Sequence, residues 1–299
     1  MAGLLTEPRP MTAKDEDDLI EIWEMSFHDD PAYIRTFMQI NVKPENTLVS
    51  HEDGRAVSAA YLLPREILIQ DKTYQAMYFY AAATHLEYRH RGHMSRIIAS
   101  AVSLCRERGT DFLYLVPGEA SLYKYYSTFG FRTVFYARTV NFNHAELEKA
   151  VRDRRPAGWE PRTGELIPAR PTDLAKVRET SLAETDHVVF SPEALQYALF
   201  EHASTGGQII ATGDSYALYQ MKDGVVEVQE ICPATLAGEP VEALLRLNAD
   251  KYVFHAPSEC ELTGRKKTTG RAGMAIALTK KARTASGQMQ NAYLGLTLG

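Results

Sequence analysis

One heptapeptide constrains this chain more than any other stretch. Arg89-His90-Arg91-Gly92-His93-Met94-Ser95 follows a strand-like run, Tyr74 to Thr84, and opens a helix-like run, Met94 to Arg108. A strand that hands a basic, glycine-containing turn to a helix builds an anion site. The N–H groups of the first helical turn lack helical acceptors, and the helix dipole adds partial positive charge. Gly92 lets the backbone approach a ligand with no Cβ in the way, and Arg89 and Arg91 add charge. The ligand this favours is a pyrophosphate. Neither G-x-G-x-x-G nor G-x-x-x-x-G-K-[ST] occurs, so the segment is not a dinucleotide fingerprint or a Walker A loop. Taken alone, it also fits a basic turn at a solvated helix start.

The residues that follow narrow the choice. The helix stops at Arg106 to Gly109, with cations in its last turn and glycine as the break. Asp111 to Val116 is a short apolar run of buried-strand type, ended by Pro117-Gly118. Glu119 to Thr128 reads as a helix, Phe129-Gly130-Phe131 as a turn, and Arg132 to Val140 as a strand.

In this order the chain resembles the GNAT superfamily of acyl-CoA N-acyltransferases over residues 6 to 140. Arg89-x-x-Gly92-x-Met94 matches that family's phosphate loop, and Tyr126 to Phe131 its tyrosine-containing segment. Met94 departs from the pattern, which usually has glycine or alanine there. The resemblance implies an α/β (α+β) fold: a mixed, mostly antiparallel sheet with helices on both faces. It implies acetyl-CoA as cosubstrate and no metal. The backbone of Ala82 and Thr84 would lie along the pantetheine arm. Arg89, His90, Arg91, Gly92, His93, Met94 and Ser95 would surround the phosphates, and Ser121 would stand near the thioester.

By the same resemblance Tyr126, four residues before Gly130, is the general acid. The chemistry supports that role, because thioester aminolysis needs a proton for the leaving thiolate. A thiol titrates at about 8.5 and a phenol at about 10, so a phenol beside the sulfur can supply it. Leu122, Tyr123 and Tyr126 share one helix face, while Tyr125 falls about 100° away. Packing is the competing role for these aromatics. The residues leave the base open. Glu24, His28, Asp29 and Asp30 fall near the substrate-side helices in the family pattern, with solvated helix ends as the alternative.

Before the loop, Leu19, Ile20, Ile22, Trp23 and Phe27 form an amphipathic helix face, and Tyr33 to Ile40 a second helix. Strands are expected at Thr47–Ser50, Ala56–Leu63 and Ile67–Gln70, with turns at Glu52-Asp53-Gly54 and Asp71-Lys72.

The second half repeats this order loosely. Ala169-Arg170-Pro171 echoes Pro8-Arg9-Pro10. A helix is expected over Pro192–His202, then strands over 208–212, 215–222 and 225–231, a helix over 240–249 and a strand over 252–255. Met274–Thr279 and Ala292–Leu298 are expected to close this second sheet. The segment between Ile231 and Val241 holds no Arg or Lys, so a pyrophosphate is not expected there. The expected division is therefore 6–143 as the acetyl-CoA-binding domain, 144–164 as a linker, and 165–299 as a degenerate second copy. A non-homologous α+β domain remains the alternative for the last part. The tandem arrangement is similar to the enhanced intracellular survival acetyltransferase family without its third domain.

Composition agrees with two well-filled cores: 299 residues, 45% of them hydrophobic. No apolar run reaches membrane-spanning length, and the first residues lack the pattern of a secretory signal. Cys105, Cys232 and Cys260 are few and widely spaced, which suggests a reducing, cytoplasmic setting and no zinc site. No Asp or Glu follows Glu261, so the last 38 residues carry +7 of a net −5 charge. The acidic remainder suits a cationic amine. The basic run from Arg265 to Arg283 has no interleaved aromatics, is expected to be loop and strand-end charge, and makes nucleic acid a weaker reading. The expected activity is direct transfer of acetyl from acetyl-CoA to a primary amine of a small molecule or protein. A CoA-thioester sensor without turnover is the alternative, and a homo-oligomer is compatible with either.

Overall fold

The structure is a computed structural model that describes residues 7–155, 169–262, 264, 266–289 and 291–297. Residue 6, the later part of the expected linker from 156, residues 165–168, Arg265 and Leu298 lie outside the described residues. In chain order the elements begin with β1 (Arg9–Pro10), α1 (Glu16–Phe27), α2 (Pro31–Asn41), β2 (Thr47–Glu52), β3 (Arg55–Ile69) and β4 (Lys72–Thr84). Then come α3 (His93–Glu107), β5 (Phe112–Leu115), α4 (Ala120–Ser127), β6 (Arg132–Asn143), α5 (His144–Arg152), α6 (Pro171–Ser181) and β7 (His187–Val189). The remainder is α7 (Pro192–Ser204), β8 (Gln208–Ala211), β9 (Tyr216–Lys222), β10 (Val225–Cys232), α8 (Glu239–Leu245), β11 (Lys251–Ala256), β12 (Lys266–Ala277) and α9 (Lys280–Ser286).

These elements divide into two compact units. One takes the residues up to Arg65, Tyr74–Arg132 and Met274–Gly287; the other takes Glu66–Thr73, Thr133–Gly273 and the residues from Gln288. The chain order alone suggested a simpler cut, with 165–299 together. The difference lies in pairing: Met274 to Ala277 of β12 run antiparallel to Leu115 to Phe112 of β5.

In the first unit the strand order is β1-β2-β3-β4-β5-β12. β4 and β5 are parallel, with Ala76 opposite Phe112 and Tyr78 opposite Tyr114; β1–β2, β2–β3 and β5–β12 are antiparallel. Turns at Asp53-Gly54 and Gln70-Asp71 take positive φ at both central residues, the geometry that matches strand twist in tight hairpins. Local signals set the helices. Three acids open α1 at the positive end of its dipole. Asp30 caps α2 by accepting from the Ala32 N–H at 2.7 Å, with Pro31 in the first position.

Period-two alternation in β3 sends Ala60 and Leu62 to the face covered by α3 and α4, and Tyr61 to the face covered by α1 and α2. On the first face Ile97, Ile98 and Ala101 of α3 pack with Phe79, Leu113 and Leu115. On the second, Trp23 and Phe37 meet Tyr61 and Tyr80 ring to ring, at centroid distances of 5.3 to 5.8 Å. Burying an aliphatic or aromatic side chain of this kind is worth about 1.5–3 kcal/mol.

The second unit has the strand order β6-β11-β10-β9-β8. Again one pair is parallel, β10 with β11, and α8 lies between them in sequence, as α3 lies between β4 and β5. Val226, Val228, Tyr252 and Phe254 face Leu147, Val151 and Leu244 in its core. The expected strand at 292–298 is not formed among the described residues. Ala292 and Tyr293 make single bridges to Phe135 and His187 instead.

Candidate acetyl-transfer site

The basic loop lies between the end of β4 and the start of α3. After Thr84 the chain makes a short turn at Leu86–Tyr88, then Arg89. His90 and Gly92 both take left-handed backbone, φ 62° and 86°, and Gly92 is the N-cap of α3. A Cβ built on Gly92 meets nothing within 4 Å. Glycine is therefore required here by its φ value, since the surrounding protein leaves room. A non-glycine residue in left-handed backbone persists where neighbours over-determine it, and His90 is such a residue.

The cations of the loop do different things. Arg89 is exposed and donates from Nε to the Thr84 carbonyl at 3.1 Å. His90 is exposed. Arg91 is exposed too, yet its Nη1 donates to Glu52 Oε1 at 2.6 Å and its Nη2 to the Glu87 carbonyl at 2.8 Å, with the guanidinium over the Tyr88 ring. His93 has a fully buried side chain. Its Nε2 lies 2.8 Å from Glu52 Oε2 and its Nδ1 2.8 Å from Ser50 Oγ. The hydrogen bond from His93, then that from Arg91, holds the Glu52 carboxyl below the usual carboxylate range. An ionised carboxylate only accepts, so Nε2–H donates to Glu52. Of the seven expected phosphate neighbours, the His93 side chain thus points inward, and Met94 packs at the edge of the α3-face core. Ser95 Oγ lies 3.3 Å from the Tyr125 hydroxyl.

β4 breaks its own alternation just before the loop. Ala81 has φ 44° within the strand. Phe79 and Ala82 both pack in the α3-face cluster although they are three residues apart, where strict alternation would put them on opposite faces. Beyond Tyr78 the strand runs six residues past its recorded pairing with β5. Thr84 Oγ1 bonds Ser58 Oγ at 2.7 Å, and the Thr84 carbonyl is taken by Arg89.

Tyr126 closes the same cluster from α4. Its side chain is 8% exposed and touches Tyr125 and Phe131 edge-on. Burial, with Tyr125 beside it, pushes the phenol up to about 12. Among the described residues nothing hydrogen-bonds its hydroxyl. Ser121 is exposed and its hydroxyl donates to the Glu119 carboxylate. Gly130, φ 91°, turns the chain toward β6. So Ala82, Met94, Tyr125 and Tyr126 come together, while Ser121 and the His93 side chain have other partners.

The carboxylates around the first two helices are largely engaged. Asp29 accepts from Trp23 Nε1 at 2.8 Å, and Asp30 caps α2. His28 ends α1 in left-handed backbone. His85, at the end of β4, is buried with Nε2 3.4 Å from Glu21. The chain pattern gave no signal for Glu52, Ser50 or the Tyr125–Ser95 contact, because each joins residues at least 30 positions apart. Among the described residues no three His, Cys, Asp or Glu side chains form a group that could hold a metal ion, and no helix is long and apolar enough to cross a membrane. The basic run near the end includes α9, where Lys281 pairs with the buried Asp111 at 2.8 Å; it is partly helical where loop and strand ends were expected.

A search of curated proteins gives no match. Among solved structures, the GCN5-related N-acetyltransferase from Kribbella flavida is similar at 16% identity, over 93% of this chain and 72% of that one, with a TM-score of 0.69. The GCN5-related N-acetyltransferase from Anabaena variabilis ATCC 29413 gives 14%, 92%, 73% and 0.71. Eis1 from Mycobacterium abscessus gives 14%, 94%, 76% and 0.68. At these identities the likeness is one of fold. A family profile described as Acetyltransferase (GNAT) domain matches residues 7–134, the stretch that carries the loop, the interrupted strand and Tyr126. Residues 7–134 of this chain thus match the acetyltransferase (GNAT) domain family.

Proposed function

We propose that the first unit transfers an acetyl group directly from acetyl-CoA to a primary amine of a small molecule or protein. The observation that carries this is the loop at the start of α3. A left-handed Gly92 caps α3, whose first-turn N–H groups lack helical acceptors, and Arg89 and His90 just before it are exposed. That donor set fits a pyrophosphate. Ala82 and the irregular end of β4 would lie along the pantetheine arm, with Met94 and Ser95 at the phosphate end.

Tyr126 then meets the thioester end. The amine nitrogen bonds to the acetyl carbon, the carbon–sulfur bond breaks, and the Tyr126 phenol passes its proton to the departing sulfur. The amine gives up its extra proton to water. A phenol pushed to about 12 keeps its proton at every working pH. It donates in step with bond cleavage, because the burial that raises its own value also raises the basicity of a thiolate beside it.

The second unit does not take the cosubstrate in this reading. At the end of β10, the counterpart of the end of β4, the buried Glu230 accepts from Arg178 Nε at 3.2 Å and from the Tyr216 hydroxyl at 2.8 Å. The Arg178 side chain is itself fully buried and occupies the position with protein.

Calorimetric titration of acetyl-CoA into wild type and Gly92→Glu tests the site. Binding to wild type alone is expected, since the substitution sets a carboxylate among the anion's donors. Thiol release with a panel of amines then tests turnover. Binding with no turnover of any amine would support a thioester sensor instead, and no binding to wild type would refute the proposal.

A further inference from the structure

Resting on the acetyl-CoA reading above, we infer that Glu52 is the positioning residue of the phosphate loop. One carboxylate holds the residues on both sides of Gly92. Oε1 takes Arg91 Nη1 at 2.6 Å, and Oε2 takes His93 Nε2 at 2.8 Å. Glu52 is the last residue of β2, so the bracket fastens the loop to the sheet. Ser50, two residues earlier on the same strand, holds the other nitrogen of the His93 ring. Arg91 also reaches back to the Glu87 carbonyl.

The loop needs such a bracket. His90 and Gly92 are both left-handed within three residues, a conformation that unrestrained backbone leaves readily. Free first-turn N–H groups bind an anion well only if they are held toward it beforehand. The Glu52 carboxylate is 6% exposed and the His93 side chain fully buried, so neither presents its side chain to a ligand. They act through the backbone of residues 91 to 93. Arg91, in turn, is a strut whose charge is already answered by Glu52. The unanswered positive charge at the loop comes from Arg89, whose terminal nitrogens pair with no described residue.

The test compares affinities for acetyl-CoA and for S-acetylpantetheine, which has the thioester and the arm but no pyrophosphate. Wild type is expected to prefer acetyl-CoA. Glu52→Ala removes two charge-assisted hydrogen bonds and is expected to weaken acetyl-CoA at least about tenfold. Its affinity for S-acetylpantetheine is expected to stay at the wild-type value. Glu52→Gln keeps the shape: its oxygen accepts from Arg91, and its amide donates to a His93 ring of the other tautomer. Neutral partners are weaker, so a loss of about threefold is expected, again confined to acetyl-CoA. Glu52→Gln carries the test if the alanine variant does not fold.

Unchanged acetyl-CoA affinity in the Glu52 variants would overturn the inference. So would an equal loss for both thioesters, which would mark Glu52 as a general support of the fold. A wild type with no preference for acetyl-CoA would instead refute the cosubstrate reading itself.

Discussion

Removing the hydroxyl of Tyr126 should separate catalysis from stability. The ring is packed against Tyr125 and Phe131 at centroid distances of 5.4 and 6.0 Å, and Tyr126→Phe leaves those contacts in place. Among the described residues the hydroxyl has no hydrogen-bond partner, so its loss breaks nothing inside the protein. Stability should stay within about 0.5 kcal/mol of wild type, the usual range where no internal contact is lost. Turnover should fall about 100-fold or more, the range for loss of a positioned proton donor. That corresponds to about 2.7 kcal/mol of barrier. Urea denaturation gives the first quantity, and thiol release at saturating acetyl-CoA gives the second. The pH profile adds a third readout. With the phenol pushed to about 12, wild-type rate should rise with pH as the amine loses its proton and should show no decline near 10. Undiminished turnover in Tyr126→Phe would refute the acid role. A wild-type rate that falls near pH 10 would refute the buried-acid reasoning, since that is where an unperturbed tyrosine ionises.

Gly92→Ala should cost about 1 kcal/mol in urea denaturation, because only the left-handed backbone opposes it, and it should still bind acetyl-CoA by calorimetry where Gly92→Glu does not. Gly295→Ala shares the positive φ but should destabilise far more, by about 3–5 kcal/mol. Its Cβ would collide with Arg178 Nη2 and come within 2.6 Å of Glu230, breaking a buried ion pair; the denaturation midpoint checks it. Stability should fall as pH climbs past 10. Burial raises Tyr61, Tyr126, Tyr216 and Tyr293. Unfolding therefore releases their protons once pH exceeds the ordinary tyrosine value, and high pH favours the unfolded side. A thermal-melting series from pH 8 to 11 reads this directly.

Local chemistry made much of the first unit legible. The expected helix over 94–108 is α3 at His93–Glu107, and the strand over 111–116 is β5 at Phe112–Leu115. Both are bounded by glycine and proline, which act on their own neighbourhood. The places of Gly92 at the start of α3 and of Tyr126 on α4 were legible because their spacing to the surrounding elements is a property of the chain itself. What escaped depends on distant partners. Ala81 adopts φ 44° inside an unremarkable run of alanines, and nothing in Ala81-Ala82-Ala83 marks which one departs. Glu52 looked like part of a hairpin turn; its role comes from two residues about forty positions away. β3 continues through Pro64 to Ile69, although a proline inside a run reads as a break. Met274–Thr279 was recognisable as strand, but not the strand it would pair with.

That last pairing sets a schedule for synthesis. The edge of β5 is covered by Met274 to Ala277, residues translated long after position 134, where the family match ends. At ribosomal speeds of about 5–20 residues per second, the wait is roughly 7 to 29 seconds. During that interval the nascent chain carries a finished phosphate loop beside an open row of strand N–H and C=O groups, the kind of edge that recruits other chains. A ribosome stalled before position 274 would release a polypeptide with every residue of the proposed site and an unsealed sheet.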